Sequence, residues 1–161
     1  MILKNTNNLI KIRKKNIKEL LNSLKFSQNY MSRYLVHLSE KDLLQEMILA
    51  FTDKTLIPPN RLKNKTQTLN IIFGKIKVII FDNKGKIKDK FVMTPFNKND
   101  QFPYLFRFNK CDWHTMISLT KKSVVHEVLQ GPFKKVLTKN PKWIPRDKEK
   151  LKIYLSKFRK K

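Results

Sequence analysis

Glycine is scarce in this 161-residue chain: Gly74, Gly85 and Gly131 are the 3 present, and each stands alone. Neither GxGxxG nor GxxxxGK[ST] can be built from them, which excludes nucleotide folds that cradle phosphates on a glycine loop. The 1 cysteine, Cys111, can form no internal disulfide, and no CxxC spacing offers a structural zinc site. A reducing, cytoplasmic compartment is the expectation. No run approaches the ~18 apolar residues of a membrane span, and the N-terminus lacks the unbroken apolar stretch of a secretory signal. Acidic residues are few, 12 against 36 Lys plus Arg, for a net charge of +24. Arginine is scarce too: the basic residues are 30 Lys and 6 Arg, alongside 14 Asn and 15 Ile. That balance matches low-GC codon usage and a solvated surface better than phosphate or base reading, which favours the forked guanidinium. Nucleic acid is therefore a disfavoured partner.

There is enough apolar material for a core, with 40% hydrophobic and 11% aromatic residues. Between Asn8 and Lys25, Ile10, Ile17, Leu21 and Leu24 recur at helical spacing with Lys and Arg between them, predicting an amphipathic helix capped by an Asn at its start. Packing onto a domain accounts for its apolar stripe more simply than lying on a membrane. From about Arg33 to Val128 the period falls to 2. The runs Arg33–Leu38, Glu46–Thr52, Gln67–Phe73, Lys75–Asp82, Lys86–Thr94, Leu105–Phe108, Trp113–Leu119 and Ser123–Leu129 predict antiparallel strands. Asp82-Asn83-Lys84-Gly85 reads as a hairpin turn, and Gly74 divides what is otherwise one long strand. Short strands with tight turns suggest a sandwich or small barrel. After Gly131-Pro132 the pattern becomes irregular, and a last helix is expected from Asp147, with Leu151, Tyr154, Leu155 and Phe158 on one face. The resulting division is a helical segment over 1–30, an all-β domain over 31–132 and a basic extension over 133–161. The extension carries 12 basic and 2 acidic side chains, which leaves a polyanion-binding flank as an alternative role.

No local spacing names an enzyme. The three histidines, His37, His114 and His126, form no HExxH and no pair at i, i+2 or i, i+4. A serine elbow is missing, and Cys111 lies too near His114 along a strand-like segment for a catalytic pair. By alternation His126 points away from Glu127.

Segments in the middle of the chain, however, follow one another in a familiar order. They are Arg33-Tyr34-Leu35-Val36-His37, Leu44 to Phe51, Pro58-Pro59-Asn60-Arg61-Leu62, Lys65-Thr66-Gln67, Gly74-Lys75-Ile76, Phe81-Asp82, Trp113-His114-Thr115, Glu127 to Pro132, and Trp143-Ile144-Pro145. In order and spacing this stretch, about residues 31–146, resembles the WbuC family of cupin-fold proteins. The resemblance implies a double-stranded β-helix (jelly-roll) barrel, here with an N-terminal helix and a C-terminal helical extension. It also implies a link to surface polysaccharide of the O-antigen type, a sugar, sugar nucleotide or other small polar ligand, and a homodimer by analogy.

In the wider cupin pattern, two histidines two apart, a glutamate and a further histidine gather around one divalent metal in the barrel mouth. Laid on this chain, the histidine pair falls on Asn60 and Leu62, the glutamate on Gln67, the motif glycine on Gly74 and the last histidine on His114. Lys54, Asn109 and Cys111 stand where further motif positions have Gly, Pro and Gly. Amides and an aliphatic chain are poor donors to Fe, Ni or Zn, so the expectation is a metal-free pocket with His114 as remnant and no cofactor. The resemblance implies a ligand pocket of Arg33, His37, Asn60, Arg61, Lys65, Gln67, Trp113, His114 and Glu127. Bland roles compete at each: Trp113 as core packing, His37 as a structural strand residue, Arg61 and Lys65 as two more surface cations. The alternative is a metal-dependent isomerase or epimerase with a site rebuilt on His114 from His37, Cys111 or Glu127.

Overall fold

The computed structural model describes residues 1–4, 6–98, 101–134 and 138–159, so part of the extension expected over 133–161 lies outside the described residues. Along the chain come β1 (Ile2–Lys4), α1 (Lys14–Ser23), β2 (Met31–Leu35), β3 (Leu44–Thr52), β4 (Arg61–Leu62) and β5 (Gln67–Phe73). They are followed by β6 (Ile76–Phe81), β7 (Ile87–Met93), β8 (Leu105–Phe108), β9 (Trp113–Ser118), β10 (Lys122–Gln130), β11 (Thr138–Lys139) and α2 (Lys148–Ser156). Two sheets dominate, one of six strands in the order β1-β2-β3-β10-β5-β8 and one of three in the order β7-β6-β9, with β11-β4 as a small pair. All pairings are antiparallel except β1 with β2. No helix among the described residues is long and apolar enough to cross a membrane.

Strand alternation builds the interior. On the six-stranded sheet, Arg33, Leu49, Val125 and Ile71 fall in one row, Leu35, Met47, Glu127, Leu69 and Phe106 in the next, and Gln45, Leu129, Gln67 and Phe108 in a third. This inner face meets Ile76, Val78 and Met116 of the smaller sheet in a buried cluster with Phe51, Ile57 and Met93. The opposite face carries Ile48, Ala50 and Val124, and α1 covers it with Leu20 and Leu24. On the smaller sheet the far side buries Ile79, Phe81, Trp113 and Ile117, with Trp143 and Phe158 of the C-terminal segment packed against them. Asp147 caps α2 by accepting from the Lys150 N–H at 2.9 Å.

Gly74 turns the chain from one sheet to the other. Its φ of +84° is left-handed, and a Cβ there would lie 2.5 Å from the Lys122 carbonyl oxygen, so both the conformation and the space call for glycine.

The N-terminal helix departs from the sequence expectation. It begins at Lys14 rather than Asn8, and its N-terminal turn is closed by Arg13 N–H donating to Asn16 Oδ1 at 2.9 Å. Ile10 and Ile12 instead line a groove with Ile72 and Phe73 on the outer sheet face.

Candidate functional site

A cavity of about 320 Å³ opens above the inner face of the six-stranded sheet. Its apolar wall is aliphatic and thioether in character, from Met31, Leu35, Met47, Leu49, Met116 and Leu129. The polar wall is drawn from four places: Gln67 on β5, Glu127 on β10, His114 on β9, and Asn60 just before β4. Backbone pairing fixes the last two beside one another, with Asn60 N–H donating to the His114 carbonyl at 3.0 Å and His114 N–H to the Asn60 carbonyl at 3.1 Å. Gln67 and Glu127 sit in adjacent rows of adjacent strands on the same face, within reach of each other's side chains.

The polar groups are spoken for among themselves. Gln67 Nε2 donates to Glu127 Oε1 at 2.6 Å, while Gln67 Oε1 accepts from the Cys111 thiol at 3.0 Å. The carboxylate partner dictates which end of the Gln67 amide is nitrogen. His114 Nδ1 lies 2.9 Å from the Asp112 carbonyl, so that nitrogen carries the proton and Nε2 keeps the lone pair. Burial lowers the His114 pKa, so the ring is held neutral. Burial also pushes the Cys111 thiol up to about 11, keeping it protonated as its donor role requires. Glu127 is raised above the ordinary carboxylate range, chiefly by burial, against opposing pulls from the Gln67 hydrogen bond, Arg33 and His126. Glu127 is partly exposed and lines the cavity.

Of the pocket expected from sequence, Arg33, His37, Asn60, Gln67, His114 and Glu127 line this one cavity, as does Leu62. Arg33 is exposed, and His37 is partly so, with Nδ1 engaged by the Glu46 backbone. Three residues lie elsewhere. Trp113 is 7% exposed in the cluster beneath the C-terminal segment, with Nε1 donating to Asn83 Oδ1 at 3.3 Å. Arg61 stacks its guanidinium 4.3 Å from the Trp113 ring and donates to the same Asn83 oxygen at 2.8 Å. Lys65 Nζ donates to the Gly131 carbonyl at 2.7 Å, which ties two loops together. Alternation explains the split: Trp113 and His114 are neighbours on β9 and must point to opposite faces. What the sequence did not reveal is the apolar half of the cavity and the contributions of Gln45 and Thr115, because their rows are set by strand pairing across the sheet.

The wider cupin motif implies a divalent metal here, and the side chains present do not fit one. Leu62 has no donor atom, Asn60 Nδ2 is turned to the Pro58 carbonyl at 3.2 Å, and Gln67 is held by Glu127 and Cys111. Cys111 Sγ stands 3.7 Å from His114 Nδ1, but as a neutral thiol facing a protonated nitrogen it presents no ligand pair. Among the described residues no three His, Cys, Asp or Glu side chains group as metal ligands.

A family model described as a domain of unknown function, DUF6016, matches residues 12–93, just over half of the chain, and the chain belongs to that family. The match takes in Arg33, His37, Asn60 and Gln67 and ends before His114 and Glu127. No curated protein matches in sequence. Among solved structures, protein SO0799 of Shewanella oneidensis superposes at a TM-score of 0.55 and 10% identity, over 67% of this chain and 72% of that one. KdgF of a Halomonas species gives 0.50 and 14%, over 69% and 87%. Oxalate oxidase in complex with glycolate gives 0.50 and 11%, over 66% of this chain but 54% of the other. Identities this low speak to fold alone. KdgF and oxalate oxidase are cupin-superfamily proteins, and the mostly β arrangement of two main sheets and two short helices is a cupin-like fold.

Proposed function

We propose that this protein is a cupin-like binding protein whose barrel-mouth cavity takes a small polar ligand without a resident metal. One observation carries the reading: of the positions that hold metal ligands in the wider cupin pattern, Leu62 has no donor atom, Asn60 turns its amide nitrogen to the Pro58 carbonyl, Gln67 is engaged between Cys111 and Glu127, and His114 alone keeps a neutral imidazole. Those groups engage one another, and the space next to them is a cavity of about 320 Å³ with mixed walls, at the small end of ligand sites. The ordered resemblance of residues 31–146 to WbuC proteins supports placing the ligand in surface-polysaccharide metabolism.

Protein-observed NMR with a mixed fragment set tests the pocket. Hits that move the methyl signals of Met31, Met47 and Met116 and the ring signals of His114 are expected. Hits that instead scatter over the outer groove beside α1, leaving those signals still, would remove the cavity from consideration as the binding site.

A further inference from the structure

Helix α1 covers the outer face of the six-stranded sheet over β3 and β10, where Leu20 and Leu24 pack on Ile48, Ala50 and Val124. The next strands, β5 and β8, lie beyond that cover. Their outward residues Ile72 and Leu105 are 39% and 46% exposed. A bulge enlarges this apolar area. Val125 pairs with Ile71 and Val124 with Phe73, so Ile72 is an extra residue, and both Ile72 and Phe73 line the outer groove. At the start of β8 the Tyr104 carbonyl accepts from the Ile71 N–H at 2.9 Å, and the Tyr104 ring meets that of Phe96 edge to face at 5.3 Å. Phe96, in the turn after β7, is 75% exposed.

The same strands are poor in charge. In a chain that is 30% charged, residues 66–74 are the longest stretch without Asp, Glu, Lys or Arg, and residues 101–106 have none either. Cations stand at the margin: Lys75 Nζ lies 4.8 Å from the centre of the Phe102 ring, and Arg107 turns its guanidinium to Thr68 and Asn109. An apolar centre inside a polar rim is the anatomy of a protein interface. Two copies of a +24 chain repel, so a close approach between them requires a face where each is uncharged, and this one meets that condition. Size is adequate as well. Ile72, Phe73, Phe96, Tyr104 and Leu105 together expose on the order of 500 Å² per copy, or about 1,000 Å² for a pair before the rim is counted, which is where specific interfaces begin.

We propose that a second copy of this chain covers the face, giving a homodimer joined through the outer side of β5 and β8. A two-fold pairing sets one patch against itself, so the patch must carry both a projection and a recess. Both are present: the Phe96 ring stands out at the sheet edge, and the groove between α1 and β5, lined by Ile12, Ile17, Ile72 and Phe73, lies beside it. The ligand cavity is on the inner face of the same sheet, so this pairing does not compete with it.

Sedimentation equilibrium of the full-length protein, from low to high micromolar concentration and at low and high salt, tests the pairing. Wild type is expected to reach twice the monomer mass, with a dissociation constant that falls severalfold in high salt as the repulsion between copies is screened. Leu105→Lys sets a charge at the centre of the patch and is expected to weaken the dimer about tenfold or more. Phe96→Ser, in a turn outside the strands, is expected to act in the same direction and serves should the strand variant fold poorly. Ile153→Lys, at an exposed apolar position on α2, is expected to leave the dimer unchanged. A wild-type protein that stays monomeric at every concentration and salt would overturn the proposal. So would a dimer that neither Leu105→Lys nor Phe96→Ser weakens, or one that high salt dissociates.

Discussion

Residues 126 and 127 are neighbours on one strand and lead opposite lives. His126 points to the outer face, where Nε2 meets Glu46 Oε1 at 2.7 Å in a groove with both side chains about a third exposed. Glu127 points inward, where its donor is the Gln67 amide and the exposed Arg33 of the same cavity acts on it electrostatically. The outer pair joins two titratable groups of the protein on an open groove; the inner carboxyl, partly exposed like its neighbour, takes a neutral amide donor and faces the cavity. Half-finished polar arrangements in a buried place are costly, and a protein keeps them where a guest completes them. The contrast separates the face covered by α1 from the face that opens on the cavity.

Three substitutions break or sharpen that contrast, beginning with the inner core beneath the cavity. Phe51 is fully buried on β3 among Leu49, Leu69, Val78 and Val125, so Phe51→Ala is expected to cost about 3–5 kcal/mol in chemical denaturation and to abolish fragment binding at the pocket methyls. Glu127→Gln comes next, and its effect changes with pH. The folded-state pKa of Glu127 is raised above the ordinary 4.5, so the folded protein holds this proton more tightly than the unfolded chain. Wild-type stability is then full below the unfolded value and declines as pH rises through the folded one. Relative to wild type, Glu127→Gln should gain stability as pH increases from 4 towards neutrality, and denaturation curves at several pH values read this directly; a difference that is flat with pH contradicts the buried environment. His126→Ala should do least, under about 1 kcal/mol in chemical denaturation, because a partly exposed pair gains little over its hydrated components.

Much of the strand framework was legible from alternation. Gln67–Phe73 and Leu105–Phe108 were predicted with the observed bounds, and the other long strands lie within a few residues of theirs. Alternation works because one face of each strand is buried and the other is not, which writes the period into the residues themselves. The two-residue β4 and β11 and the parallel β1 left no such trace, being too short to show a period. The start of α1 differs for a related reason: Ile10 fits a helical stripe in the sequence, while in the fold it lies before the helix and lines a groove with Ile72 and Phe73, far away in sequence.

The site was legible in part through register. Asn60, Gln67 and His114 were placed by motif spacing, and they meet because β5, β9 and the segment before β4 converge at one end of the sheets. Arg61, Lys65 and Trp113 were grouped with them by proximity in sequence, but a strand sends Arg61 and Trp113 to the face opposite Asn60 and His114, and Lys65, in the loop before β5, ties to the Gly131 carbonyl. Which donors are already spent cannot be read from a sequence at all, because it depends on carbonyls such as those of Pro58, Asp112 and Ile57 that every residue type supplies alike.

The most direct test of the central claim, that this cavity stands and binds without a metal, is thermal unfolding of untagged protein after chelation and again with one equivalent of Fe(II), Ni(II) or Zn(II). The account predicts the same midpoint throughout, to within about 1 °C, because an ion that does not bind the native state cannot stabilise it. A midpoint raised by several degrees with one of these ions, and no longer raised in His114→Ala, would contradict it.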